Sequence, residues 1–200
     1  MKLILTGVSS FTGYHLAKKL CENYIVIGII SKNINKYKSN RLKRLIDLKK
    51  KIEIIECDLF KTTKFAKILK RVKPDIIYIN HAYTAKNIND FNLDNALKIN
   101  SIGLREIFDY SSKYNCKVFH TGTNQEYGNK CQIISEKTIK DPFTEYGLSK
   151  KIQSEILKFF SEKYKVKCAS FKLFNLYGLL DEEHKLFQMI TDSIKNKKKN

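Results

Sequence analysis

Short apolar runs alternate along the chain with stretches in which apolar residues recur every three or four positions. The short runs are typical of buried strands, and the periodic stretches of helices that bury one face. The pattern predicts strands at residues 2–5, 24–30, 52–56, 75–80, 116–121 and 166–174. It predicts helices at residues 13–21, 41–48, 62–72 and 144–164, a long helix within 91–113 and a last helix over 185–195.

This alternation of strands and helices determines the fold class that we expect. Strands joined through helices run parallel, and the helices then cover both faces of the sheet. In the second strand the run Ile25-Val26-Ile27 is β-branched throughout, which is typical of a strand buried on both faces. We therefore predict an α/β fold, a doubly wound, Rossmann-like parallel sheet of about six to seven strands.

The composition fits one compact domain. Hydrophobic residues make up 42% of the 200 residues, which is enough for a single core. No apolar stretch approaches the roughly 20 residues of a membrane helix, and the first residues lack the features of a signal peptide, so a cytoplasmic location is expected. The five cysteines and four histidines are scattered, without the spacing of a disulfide framework or a metal site, and we expect neither.

The formal net charge of +18 raises the question of a polyanionic partner. The lysines are spread along the whole chain rather than gathered on one predicted face. We therefore interpret most of this charge as a solvated lysine coat and disfavour a nucleic acid partner.

The segment between the first strand and the first helix contains Gly7 and Gly13. Glycines at this place permit a tight turn and let the backbone approach a pyrophosphate at the amino end of a helix. The segment therefore predicts a dinucleotide-binding loop. The residues expected to contact the cofactor here are Gly7, Ser9, Ser10, Phe11, Thr12 and Gly13.

The residues after the second strand indicate which dinucleotide is bound. An acidic side chain there binds the ribose 2′-hydroxyl of NAD, whereas a basic one can pair with the 2′-phosphate of NADP. This chain has Ser31 and Lys32 and no acid at that place. The sequence therefore favours NADP and leaves NAD open.

The most informative pair is Tyr146 and Lys150, which are four residues apart in a predicted helix. Side chains at this spacing share one face of a helix, so the phenol and the ammonium can point to the same ligand. A nearby positive charge favours the phenolate and lowers the pKa of the phenol. We therefore expect Tyr146 to serve as a proton donor and acceptor at neutral pH.

Other segments accompany this pair in a recognisable order. Thr121–Gly128 resembles a Ser-Ser/Thr-x-x-x-Tyr-Gly segment, Asn100 lies in an Asn-x-x-Gly segment, and Asn175 begins Asn-Leu-Tyr-Gly. With the glycine loop, in which Ser10 takes the place of a middle glycine, these motifs resemble the extended short-chain dehydrogenase/reductases. That family contains the sugar-nucleotide epimerases and dehydratases, and the resemblance covers nearly the whole chain.

The resemblance implies roles for individual residues. Tyr146 would exchange a proton with a sugar oxygen while a hydride passes to or from the nicotinamide, Lys150 would also hold the nicotinamide ribose, and Thr123 would bind the reacting oxygen. Further residues implied in cofactor binding are Asp58, Leu59, His81, Ala82 and Asn100, and those implied in substrate binding are Thr123, Asn124 and Asn175.

The residues after Thr123 bear on the type of reaction. Sugar-nucleotide dehydratases of this family carry an acid directly after the catalytic threonine, whereas this chain has the amides of Asn124 and Gln125, which do not exchange protons at neutral pH. Glu126 is one position further and should point the other way in an extended segment. Epimerisation or reduction of a 4-keto sugar is therefore expected rather than dehydration.

The carboxyl-terminal part departs from the family pattern. Residues 1–178 are expected to form the dinucleotide-binding domain and residues 179–200 the start of a substrate lobe that is largely absent. An alternative function is then a non-catalytic dinucleotide-binding module that acts as a sensor or assembly partner. Family members also dimerise through the fourth helix and the helix of Tyr146, which leaves a homodimer open, although Ile152, Ile156 and Phe160 are better explained by the internal core.

Overall fold

The computed structural model describes residues 1–59, 62–85, 90–129 and 133–197. Within these residues six strands form one parallel sheet in the order β3-β2-β1-β4-β5-β6. The strands are β1 (Lys2–Thr6), β2 (Ile25–Ile30), β3 (Glu53–Glu56), β4 (Ile76–Ile79), β5 (Lys117–Thr123) and β6 (Cys168–Leu173).

Seven α-helices accompany the strands in the described part of the chain. They are α1 (Phe11–Leu20), α2 (Ser39–Lys49), α3 (Thr62–Val72), α4 (Leu93–Ser101), α5 (Leu104–Tyr114), α6 (Glu145–Tyr164) and α7 (Leu186–Lys197). Among the residues that the structure describes, none of these helices is long and apolar enough to cross a membrane.

Alternate residues of each strand face two separate apolar cores. On one face Leu3 and Leu5 of β1 join Ala17 of α1 and Leu45 of α2. On the other face Ile4 packs with side chains of α3, α5 and α6, among them Phe65, Phe108 and Leu157. Helices thus cover both faces, and the predicted doubly wound, Rossmann-like α/β fold is confirmed.

One element prediction is wrong. The long helix expected within 91–113 is two helices, because Ile102 adopts an extended conformation and Gly103 has φ +72°. A positive φ is available to glycine at little cost and ends a helix. The other predicted elements begin and end within two residues of the observed ones.

The strand order reverses between β1 and β4, with β2 on one side and β5 on the other. In open parallel sheets the crevice outside the carboxyl ends of the strands at such a point is where ligands bind. The loops that follow β1, β2, β4 and β5 and the first turn of α1 all meet at this edge, and together they carry more than half of the predicted site residues.

Candidate active site

The loop after β1 requires glycine at two positions. Gly7 has φ +70°, and a Cβ there would lie 3.0 Å from the Cα of His81, which follows β4. A Cβ on Gly13 would collide with the carbonyl oxygen of Gly7 and with the side chain of Asn80. The loop therefore packs its backbone directly against the end of β4, as a dinucleotide-binding turn does.

Ser10, in the place of a middle glycine, caps α1. Its Oγ accepts a hydrogen bond from the Gly13 N–H (3.0 Å) and donates to the Gly7 carbonyl (2.9 Å). It also accepts from Asn80 Nδ2 at 3.1 Å. The φ of Ser10 is −71°, which any residue adopts, so the serine introduces no backbone strain.

A cavity of about 360 Å³ lies at the carboxyl ends of β1, β2 and β4. It brings together eleven of the predicted site residues, namely Gly7, Ser9, Ser10, Thr12, Ser31, Lys32, Leu59, His81, Ala82, Tyr146 and Lys150. The sequence did not assign the other lining residues, which are Ile29, Ile30, Tyr37, Arg41, Cys57, Asn80, Thr84 and Thr121.

Seven predicted site residues do not line this cavity: Phe11, Gly13, Asp58, Asn100, Thr123, Asn124 and Asn175.

Asn100 is buried and links the segment after β4 to helix α6. Its Oδ1 accepts from the Tyr83 N–H (3.0 Å), and its Nδ2 donates to Ser149 Oγ (3.3 Å). Thr123 lies at the end of β5, where its hydroxyl donates to Asn124 Oδ1 (3.3 Å). Asn175 is exposed.

Two basic side chains line the end of the cavity next to β2. They are Lys32 and Arg41, and Arg41 Nε donates to Glu182 Oε1 at 3.1 Å. Lys32 Nζ lies 5.0 Å from the centre of the Tyr37 ring, a cation–π distance. The Ser31 hydroxyl lies 3.4 Å from the Tyr37 hydroxyl. Tyr37 and Arg41 belong to a stretch that the sequence predicted only as a polar loop and a helix start, and no local signal pointed to them.

Tyr146 lies in the first turn of α6, which Thr144 caps by accepting the Gly147 N–H at 3.0 Å. The Phe91 ring meets the Tyr146 ring edge-on with centroids 6.0 Å apart. Burial raises the pKa of Tyr146, and the carboxylate of Glu126 raises it further. The expected lowering of this pKa by Lys150 is therefore wrong.

Lys150 reaches a different partner because its side chain turns toward β5. Its Nζ lies 3.0 Å from His120 Nε2 and donates to Gln153 Oε1. Only 2% of the residue is exposed. Burial lowers the pKa of Lys150 to about 7, with the carboxylate of Glu126 opposing this shift. Among the described residues, the hydrogen-bond partners of Lys150 are thus His120 and Gln153 rather than Tyr146.

Glu126 does not lie in an extended segment, so that expectation is wrong. Asn124–Tyr127 form a short 3₁₀ helix that turns the Glu126 side chain into the interior, where it is fully buried. Its carboxylate accepts from the Thr123 N–H (3.2 Å), from Ser154 Oγ (2.9 Å) and from Lys172 Nζ (2.8 and 2.7 Å). This carboxylate is fully engaged in a buried ion pair.

Arg44 of α2 is fully buried and contacts the backbone of the glycine loop. Its guanidinium donates to the Ser9 carbonyl (3.0 Å), to the Leu180 carbonyl (2.5 Å) and to Glu182 (2.8 Å). Nothing in the sequence pointed to this residue, because an arginine in a lysine-rich helix gives no sign that it is buried. It fixes the position of the loop relative to the segment that follows β6.

Comparisons with known proteins agree with this arrangement. The chain is 25% identical over 185 residues to Protein CapI of Staphylococcus aureus, covering 89% of the chain and 55% of that relative. It is 25% identical over 182 residues to a putative UDP-glucose 4-epimerase of Methanocaldococcus jannaschii, covering 88% of the chain and 56% of that relative. The chain thus spans about half the length of the curated relatives it matches.

Solved structures show the same fold. A UDP-glucuronic acid 4-epimerase from Bacillus cereus in complex with NAD superimposes with a TM-score of 0.80 at 20% identity, covering 98% of this chain and 64% of that one. A dTDP-glucose 4,6-dehydratase from Bacillus anthracis in complex with NAD gives a TM-score of 0.78 at 19% identity, covering 98% and 62%.

The family itself is determined by the sequence match. The model of the family described as NAD dependent epimerase/dehydratase matches residues 3–200, nearly the whole chain. The resemblance inferred from the glycine loop, the Tyr146–Lys150 pair and the accompanying motifs is therefore confirmed. The chain belongs to the NAD-dependent epimerase/dehydratase family.

Proposed function

We propose that this chain is the catalytic, cofactor-binding part of an NAD(P)-dependent enzyme that acts on a nucleotide-linked sugar. One observation supports this most directly: Tyr146 and Lys150 line the same cavity as Gly7, Ser9 and Ser10. An acid–base group that faces a dinucleotide loop is what hydride transfer at a sugar carbinol or keto carbon requires.

The residues present fit a nicotinamide dinucleotide. The Gly7–Gly13 loop and the amino end of α1 would hold the pyrophosphate, since no side chain at either glycine blocks the approach of the backbone. Leu59 would lie near the adenine, and Ala82 and Lys150 near the nicotinamide ribose. The bound cofactor would supply the hydride acceptor and donor.

NADP is the cofactor that we propose. Lys32 gives the ribose end of the cavity a cation and Ser31 gives it a hydroxyl, Arg41 lines the same end while paired with Glu182, and the described lining residues there include no carboxylate. Calorimetric titration of Lys32→Ala should show about tenfold weaker binding of NADP⁺ and unchanged binding of NAD⁺. Lys36→Ala, an exposed lysine outside the cavity, is the matched control. Equal losses for both dinucleotides would contradict the preference.

In the proposed reaction Tyr146 transfers the proton. Its raised pKa keeps the phenol protonated in the resting protein, so that it is ready to donate to a carbonyl oxygen. In the reverse direction it takes the proton of a carbinol, and Thr123 would bind the same oxygen. Lys150, with a pKa of about 7, can hold or release a proton beside it at neutral pH.

We propose epimerisation or 4-keto reduction rather than dehydration. Loss of water across the ring needs a free acid next to the reacting carbon, and the residues directly after Thr123 are the amides Asn124 and Gln125. The nearest carboxylate, Glu126, is bonded to Lys172 and Ser154 inside the protein.

The test is turnover with a panel of UDP-, GDP-, CDP- and dTDP-linked sugars, followed by nicotinamide absorbance and by product analysis. Tyr146→Phe should reduce turnover by about a thousandfold or more and leave cofactor affinity almost unchanged. Tyr24→Phe, at the opposite edge of the sheet, is the matched control. A Tyr146→Phe variant that still turns over would contradict the assignment.

The non-catalytic dinucleotide-binding module is the second candidate, because the glycine loop and the cavity beside it would also suffice for binding alone. The same experiment separates the two functions. Tight binding of NADP⁺ without turnover of any sugar would favour the module.

A further inference from the structure

His120 of β5 connects Lys150 to the far side of the sheet. Its Nε2 lies 3.0 Å from Lys150 Nζ and 3.0 Å from Gln153 Oε1. Its Nδ1 lies 2.8 Å from Ser170 Oγ on the neighbouring strand β6. Both ring nitrogens are therefore engaged, one toward the cavity and one away from it.

The far end of this chain of contacts reaches solvent. Ser170 pairs with His120 in the register of the sheet, and β6 is the outermost strand of the described sheet. Ser170 is exposed, whereas His120 is fully buried and Lys150 nearly so. Lys150 Nζ, the imidazole and the Ser170 hydroxyl thus form a continuous line from the cavity to the outer edge of the sheet.

We propose that His120 and Ser170 carry protons between Lys150 and solvent at the outer edge of the sheet. In one passage His120 gives its Nε2 proton to the neutral amine of Lys150, Nδ1 takes the hydroxyl proton of Ser170, and Ser170 Oγ takes a proton from water. One proton enters and one leaves, and the imidazole ends neutral in its other tautomer. Rotation of the ring or a passage in reverse restores the first tautomer.

The groups around the line leave His120 as the exchange partner of Lys150. The charged and titratable groups that act on Lys150 are His81 after β4, Glu126 of the 3₁₀ helix and Lys172 of β6, and Tyr146 lies four residues before it on the same helix. Glu126 is held by Lys172 and Ser154, so it does not compete as an acceptor for the Lys150 proton. Burial, with the charge of Lys150, holds the pKa of His120 well below its usual value, which keeps the ring neutral with one nitrogen open as an acceptor.

The surrounding contacts also hold the line in place. Gln153 donates to the carbonyl of Asn100 at 2.8 Å, which fixes its Oε1 beside Lys150 and His120. Lys172 Nζ donates to Ser170 Oγ at 3.1 Å, which occupies a lone pair of that oxygen and leaves its hydrogen free to move. In turnover, which rests on the proposed function, this path would work even when a dinucleotide and a sugar fill the mouth of the cavity.

Exchange of the Lys150 Nζ protons with solvent tests the path. It can be measured by nitrogen-15 NMR below the pKa of Lys150, with the signal assigned by its absence from Lys150→Met, in the free protein and with NADP⁺ bound. Ser170→Ala should slow this exchange about tenfold, equivalent to about 1.4 kcal/mol in barrier. Ser170→Thr, which keeps a hydroxyl, should restore it.

The sign of the change separates a proton path from a structural role. Loss of a contact that merely packs β6 would loosen the site and make exchange faster, and amide exchange along α6 would report that loosening. Exchange that is unchanged or faster in Ser170→Ala, or equally slow in Ser170→Thr, would overturn the proposal. Because the free protein gives the same readout, a failure to bind NADP⁺ would contradict the proposed function and leave the path to be judged separately.

Discussion

The two halves of helix α6 pack against the rest of the protein in different ways. In the amino-terminal half the buried side chains are polar, with Lys150, Gln153 and Ser154 bonded to His120 and Glu126. In the carboxyl-terminal half Leu157, Ile156 and Phe160 join the apolar core around Phe108. The apolar half anchors the helix, and the polar half fixes the directions of the side chains that face the cavity.

This difference has a physical meaning. The free energy gained by burying apolar side chains is roughly proportional to the buried area and does not depend on their orientation. Buried hydrogen bonds and ion pairs, in contrast, fix the orientation of the side chains that form them. A buried ion pair contributes little net stability compared with apolar side chains of the same volume. The Glu126–Lys172 pair is therefore best explained by the position that it gives to Thr123 and Ser154 rather than by stability.

The largest expected change in stability comes from the apolar core that packs against the carboxyl-terminal half of α6. Phe108→Ala should lower the free energy of unfolding by about 4 kcal/mol, because a fully buried ring is lost and a cavity remains. Phe159→Ala, whose ring is 57% exposed, is the matched control and should change it by less than about 0.5 kcal/mol. Urea unfolding measures both, and similar losses would contradict the packing described.

In the polar half, Lys172→Met should cost about 3 kcal/mol, because it leaves the carboxylate of Glu126 buried without its main partner. The double variant Lys172→Met with Glu126→Gln should be more stable than Lys172→Met alone, since no buried charge then remains. A double-mutant cycle from urea unfolding measures this coupling. Additive losses would show that the two side chains do not depend on each other.

The polar half should also give stability a dependence on pH. The pKa of Lys150 is about 7 in the folded protein and has an ordinary value of 10.5 when unfolded, so between these values the unfolded chain binds the extra proton. The contribution of Lys150 to stability should therefore rise as the pH rises from about 7 toward 10.5. Thermal unfolding of Lys150→Met should show a smaller rise over this range, and identical slopes would contradict the burial of the ammonium.

The smallest expected change in the free energy of unfolding comes from the glycine loop, which lies outside helix α6. Ser10→Ala should lower the free energy of unfolding by about 1 kcal/mol, because the Gly13 N–H loses its cap, whereas Ser10→Gly should cost only a few tenths. Chemical denaturation of the two variants compares them. A larger loss for glycine than for alanine would show that Ser10 does not act as a cap.

The apolar strands and helix faces could be predicted from sequence, because the spacing of apolar residues within one short segment is enough to indicate them. The run Ile25-Val26-Ile27 directly gives a strand, which is buried from Val26 onward although Ile25 itself is 62% exposed, and the spacing of Phe65 and Leu69 gives a buried helix face. The break between α4 and α5 could not be predicted, because Gly103 lies within a long apolar-periodic stretch and its positive φ forms only in the folded chain. The spacing of apolar residues says little about the backbone conformation of any single residue.

The polar parts could be predicted only in outline. The spacing of Tyr146 and Lys150 correctly places both side chains at one cavity, but the partner of Lys150 is His120, from another strand. Arg44 and Glu126 are buried by contacts that form only in the folded chain. Their charges suggested surface positions, because charged residues are seldom fully buried unless they are paired.

The proposed function requires that Tyr146 and Lys150 face a dinucleotide held by the glycine loop. Nuclear Overhauser contacts between the nicotinamide protons of bound NADP⁺ and the Tyr146 ring, assigned with Tyr146→Phe, measure this arrangement. We expect these contacts together with contacts from the adenine end to residues near Lys32. Bound NADP⁺ whose nicotinamide contacts other rings and not Tyr146, or no binding at saturating concentration, would contradict this arrangement.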